Sequence, residues 1–182
     1  MRSSGLLLAK LFDTLSALNG LDLSKVCDDT VRSGVLDLLV SANRTQAQLT
    51  RFLTEFERRG LASADGVKTS KAWLQSYGRL SGPAAHAQLR AVRTVAALPR
   101  LAEALDEGAV ALAHVNRIGL VLEQLGMDIA QSAEQILVDL ARAAGPTELH
   151  RACVYLRKVV LENGLPALSV PLLVLLGLLV GA

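Results

Sequence analysis

The chain has 182 residues and 19.3 kDa, enough for one domain with a substantial core and too little for two full ones. Hydrophobic residues make up 51% of it but aromatics only 3%, so Leu, Ala and Val dominate and an all-α fold is expected. The net charge of +2 is unevenly placed: residues 61–100 hold Lys68, Lys71, Arg79, Arg90, Arg93 and Arg100 against Asp65 alone, which puts +5 there and −3 elsewhere.

Residues Leu6 to Leu18 read as a short amphipathic helix, with Leu7, Leu11, Leu15 and Leu18 in register and Asn19-Gly20 closing it. Arg2 precedes an apolar run, but Lys10 and Asp13 end that run too soon for a secretory leader. A long helix is expected from a Ser24 cap to Arg59, stopped by Gly60. Its residues Val31, Val35, Leu38, Ala42, Thr45, Leu49, Phe52 and Phe56 alternate by four and three, the spacing of a coiled-coil seam about 50 Å long. So long a seam needs cover, either from the first and the C-terminal helices laid back along it or from a second copy. The expectation is intramolecular packing supplemented by a homodimer through this helix.

After the aperiodic stretch 60–68, Thr69–Ser70 opens a short helix on which Trp73, Leu74, Tyr77 and Leu80 recur, and core packing is the expectation for its aromatics. Leu80-Ser81-Gly82-Pro83 then supplies a turn, a cap and a first-turn proline. On the second helix Ala85, Leu89, Val92 and Ala96 form an apolar stripe, with His86, Arg90 and Arg93 on another face. Two helices joined in this way, the second with basic outer residues, have the outline of a helix-turn-helix. The site residues this suggests for DNA are Lys68, Lys71 and Arg79 on phosphates, His86 beside them, and Arg90 and Arg93 on phosphates or guanine edges. The competing reading is that these are ordinary solvated helix residues.

Further along, Pro99 interrupts the second helix and Leu101 to Leu105 forms a short turn of helix. A helix is expected over Ala111–Leu125, another from an Asp128 cap to Ala144, and a last one capped by Thr147 with Leu149, Cys153, Leu156 and Val160 inside. From Leu165 to Ala182 the chain carries no charge and sits at the lower length limit for a membrane span. Three readings stand for this tail: a tail anchor, an apolar strap on the bundle, or sequence translated after a frame change. Localisation is accordingly cytoplasmic, or membrane-associated through the tail.

The pattern offers no chemistry. Cys27 and Cys153 lack a CxxC partner, so neither a disulfide framework nor a zinc site is implied, and both are expected as inert core thiols. His86, His114 and His150 have no metal-site spacing, and His114 is expected as a capping or core imidazole. No nucleophile elbow, phosphate loop or dinucleotide fingerprint occurs, so no catalytic residue, cofactor or metal is assigned.

Asp65-Gly66 before Ala72-Trp73-Leu74, Leu80-Ser81 opening a helix, the Arg90 and Arg93 pair, Leu98-Pro99 with Leu105, and Gly108 before Ala113-His114 occur together. As a set they resemble the actinobacterial 13E12 repeat proteins, whose shared domain is a domain of unknown function, DUF222. The resemblance covers about residues 25 to 160. It implies a helical domain that commonly precedes a metal-dependent HNH nuclease module. Here the apolar tail stands where that module would follow, and no Cys/His cluster is present to receive its role. The resulting expectation is a non-enzymatic, orphan or truncated helical module with DNA association, against an alternative of an oligomerisation or protein-interaction module. The organisation read from the sequence is residues 1–24 as helix and linker, 25–163 as the helical domain, and 164–182 as the tail. The fold class is a multi-helix bundle with one long N-terminal helix and a helix-turn-helix-like pair.

Overall fold

A chain rich in Leu and Ala, punctuated by Gly and Pro, resolves in the computed structural model into helices joined by short turns. The structure describes residues 2–163, and among these there is no strand. The tail readings for 165–182 lie outside the described residues, and no described helix is long and apolar enough to cross a membrane. The chain divides into two compact units after Leu39.

The first unit holds α1 (Arg2–Asn19), a 3-10 turn (Leu23–Lys25) and the start of α2 (Asp28–Arg58). Ser24 does not cap the long helix. It lies in the 3-10 turn, where Asp22 accepts hydrogen bonds from its amide and hydroxyl, and α2 begins four residues later. Leu7, Leu11, Leu15 and Leu18 share α1 as expected, yet all of them are exposed. Cys27 is also exposed rather than in a core, its Sγ 3.1 Å from the Thr30 hydroxyl.

In the second unit the chain continues through α3 (Leu61–Ala64), α4 (Ser70–Ser76), α5 (Gly82–Ala97), α6 (Pro99–Asp106) and α7 (Leu112–Leu125). It closes with α8 (Met127–Ser132), α9 (Glu134–Ala143) and α10 (Pro146–Asn163). The helix expected from Asp128 to Ala144 is two helices broken at Ala133, and Asp128 sits in the first turn of α8 rather than capping it. Thr147 likewise falls inside α10, which begins at Pro146. The inward face of α10 is as expected, with Leu149, Cys153, Leu156 and Val160 buried.

The larger core gathers residues of α5, α6, α7, α9 and α10 around Leu98, Leu101, Ile118, Leu137 and Leu149. Within it α5 packs along α7. A Cβ at Gly119 would stand 2.4 Å from the Thr94 hydroxyl and 3.0 Å from the Arg90 stem, so glycine here leaves room for these two side chains of α5. The start of α6 has no cap from its own flank; Glu134 reaches over from α9, its Oε1 accepting from the amides of Arg100 (2.7 Å) and Leu101 (3.1 Å). His114 is buried and satisfied at both ring nitrogens: Nδ1 accepts from the Ala111 amide at 3.0 Å, which leaves Nε2 to donate to the Ala144 carbonyl at 3.0 Å. The expected capping and core role is thus observed.

The expected seam of α2 is not what packs. Val31, Val35, Leu38, Ala42, Thr45, Leu49 and Phe52 are exposed, and of the eight only Phe56 is partly covered. In the second unit the buried positions of α2 are Ala47, Thr50 and Leu53, flanked by the half-buried Asn43 and Gln46. Polar groups set this phase. Gln46 donates to Gln88 of α5 at 2.7 Å, Thr50 satisfies its hydroxyl on the Gln46 carbonyl, and Arg44 donates to the Glu107 carbonyl at the end of α6. Gly108, at φ 79, admits Val40 and Arg44 within 3.1 Å of where a Cβ would stand.

Candidate nucleic-acid interface

The basic segment folds as two helices and a tight turn, and each part has a local cause. Thr69 caps α4 by accepting from the Ala72 amide at 3.1 Å. The helix ends at Ser76, earlier than the Trp73 to Leu80 spacing suggests, because Gly78 and Arg79 turn the chain sharply. A Cβ at Gly78 would lie 2.6 Å from the Leu74 carbonyl oxygen, and Arg79 adopts φ 53 in the left-handed region. The Leu80 amide then bonds back to the Leu74 carbonyl, and Ser81 caps α5 through the Ala84 amide with Pro83 in the first turn.

A smaller core cluster holds α4 against α5 and α2: Leu53, Leu74, Ala85, Leu89 and Val92, with Trp73 and Leu80 packed on it. Trp73 tilts against Phe56 with centroids 4.5 Å apart and stacks on Tyr77 at 5.2 Å. Its indole N–H donates to Asp65 at 2.7 Å, which fixes the one carboxylate of the basic segment. Tyr77 departs from the expected core packing; it is 60% exposed.

Of the apolar stripe expected on α5, Ala85, Leu89 and Val92 are buried but Ala96 is exposed. Ala91, Thr94 and Ala97 are buried instead, because α5 is walled on a second side by α7. What remains open on α5 is a narrow strip carrying Pro83, His86 and Arg93.

The six sequence-assigned residues therefore separate into two groups. Lys68, Lys71 and Arg79 are exposed around α4, and no carboxylate partner is recorded for them among the described residues. Arg90 and Arg93 face His86 along α5 but converge on Glu123 of α7. Arg90 Nε is 3.1 Å and Arg93 Nη2 is 3.4 Å from the same oxygen, Oε1. Burial pushes the Glu123 carboxyl up, and Arg90 followed by Arg93 more than reverses this, leaving it below the ordinary carboxylate range. The triad carries a net charge of +1 where the sequence alone suggests +2.

Arg90 is the more committed of the pair: its side chain is 17% exposed and its stem lies across Gly119, whereas Arg93 is 54% exposed. Beside them an open groove of about 430 Å³ runs between α5, α7 and α8, with Ala97, Leu122 and Met127 making it largely apolar. Just before the basic segment, Arg58 and then Arg59 bond Glu55 and hold its carboxyl down at about 2, so these three groups carry a net +1. Glu123 and Gly119 are the residues that sequence reasoning missed. Neither has a local signal, since their partners lie about 25 to 33 positions away.

Among the described residues no three His, Cys, Asp or Glu side chains converge as metal ligands would. Neither the curated proteins nor the solved structures contain a match to this chain. A family model does match, described as a domain of unknown function, DUF222, over residues 34–161. That span takes in most of α2, the turn-linked pair with its basic rim, the Glu123 triad and almost all of α10, and the chain belongs to the DUF222 family.

Proposed function

We propose that this protein is a non-catalytic helical module that associates with DNA through the rim of α4, by charge and without reading sequence. The observation that carries the reading is the exposure of Lys68, Lys71 and Arg79 around a helix of seven residues, about 10 Å long, with the nearby Asp65 occupied by Trp73. Arg93 and His86 extend the same charge along α5. Arg90 is a positioning residue that braces α5 against α7, so of the pair only Arg93 is assigned to DNA, on phosphate. Tyr77, exposed at the end of α4, adds a ring on which an unpaired base can stack.

Three or four phosphate contacts give a slope of log affinity against log salt of about −3, since each contributes roughly −0.9 on duplex DNA. Fluorescence anisotropy with a random duplex, across a series of salt concentrations, measures it. The combined variant Lys68→Glu, Lys71→Glu, Arg79→Glu is expected to abolish binding, and Arg93→Gln to flatten the slope by about one. Equal binding by the triple variant, or binding that ignores salt, overturns the reading.

A further inference from the structure

Residues 5–39 invert the usual burial of a folded chain. Among the described residues, 22 large hydrophobic side chains are exposed, and fourteen of them lie between Leu6 and Leu39. Seven of them keep helical spacing: Leu7, Leu11, Leu15 and Leu18 line α1, and Val31, Val35 and Leu38 line the start of α2. Isolated exposed leucines need no explanation, but contiguous apolar patches beyond a few hundred Å² mark interaction surfaces.

We propose that this unit is a self-association surface, on which the apolar stripes of α1 and of the first turns of α2 bury against those of a second copy of the chain. Area is sufficient for this occupant. At about half exposure a Leu or Val presents roughly 80 Å², so the seven stripe residues present on the order of 550 Å² per chain, about 1,100 Å² over two copies, above the ~1,000 Å² total that marks a specific interface. Composition favours it too, because homodimer interfaces are the most apolar class and resemble a core cut in half.

Charge separates a second copy from a lipid surface. Residues 1–39 hold four Lys and Arg against five Asp, a balance of −1, whereas helices that lie in anionic bilayers carry a polar face rich in Lys and Arg. Near-neutrality also means that two copies meet without strong repulsion. The stripe is distinct from the DNA-associating rim, so it stands if that reading fails.

The chain carries its own probe. Cys27 sits exposed at the foot of α2, while Cys153 is buried and its thiol is pushed up to about 12 by desolvation, so Cys27 is the thiol that labels. Full-length protein labelled at Cys27 with donor or acceptor dye, mixed at tens of micromolar, is expected to show energy transfer and a sedimentation mass twice that of one chain. Leu11→Glu with Leu15→Glu should return both signals to the monomer value while the Trp73 emission, which reports the other unit, stays unchanged. Phe52→Glu, on the exposed side of α2 in the second unit, should leave both signals in place. A monomer in the wild type, transfer that persists in the double variant, or transfer lost only with Phe52→Glu overturns the proposal. Binding of the wild-type monomer to phosphatidylserine vesicles does so as well.

Discussion

The two core clusters that meet on α5 differ in depth, and the difference bears on how the rim can work. On one side, α5 crosses α7 over Gly119 and joins a core spread over α6, α9 and α10, with Leu98, Leu101 and Ile118 fully buried. On the other, five buried residues hold down a seven-residue helix with its turn. Stability is therefore expected to be graded across α5, with the deep side fixing the helix and α4 opening before the rest. Under the proposed DNA reading, such a soft seat lets the charges of the rim shift to meet phosphates.

Mutations can break this contrast. Leu101→Ala should have the largest effect, a loss of about 3–5 kcal/mol of global stability in denaturant titration, because the cavity opens in the deep core. Leu74→Ala should cost less, about 2 kcal/mol, and locally. Hydrogen exchange should then quicken across α4 with little change in α7; equal acceleration in both would show that the clusters unfold as one.

The smallest effect sharpens the comparison through pH. Because the Glu123 carboxyl is held below its ordinary 4.5, its pairing with Arg90 and Arg93 contributes stability that is fully present above that value and is lost as pH falls through the lower, folded value. Glu123→Gln should remove this contribution, so its stability should vary less than the wild type between pH 5 and pH 3. With Glu123 37% exposed, solvent screening keeps the difference below about 1 kcal/mol. A wild-type profile no steeper than the variant's would mean the triad contributes nothing to the α5–α7 join.

Much of this architecture was legible in the sequence where its causes are local. Gly and Pro punctuation placed the breaks at Gly60, Pro99 and Gly126, the Thr69 and Ser81 hydroxyls marked the starts of α4 and α5, and the 3.6 period gave the inward face of α10. Illegible were features fixed by partners far along the chain. The most apolar residues of the long helix point to one phase, yet it packs through Ala47 and Thr50, whose hydroxyl is satisfied within its own helix and so can be buried. A charge count over residues 61–100 could not see Glu123 arriving from α7, and so doubled the positive charge that the triad presents. Glu134 capping α6 from across the bundle is a third case of the same kind.

Arg79 occupies a backbone state that side chains with a Cβ enter at a cost of about 1–2 kcal/mol and that glycine enters freely. Glycine there would relieve that strain but forfeit roughly 1 kcal/mol to its own looser unfolded chain, so the turn is nearly indifferent to which of the two it holds. The arginine is thus not dictated by folding. A screen that scored thermal tolerance alone would accept its replacement, and would count as harmless the removal of a cation from the bend.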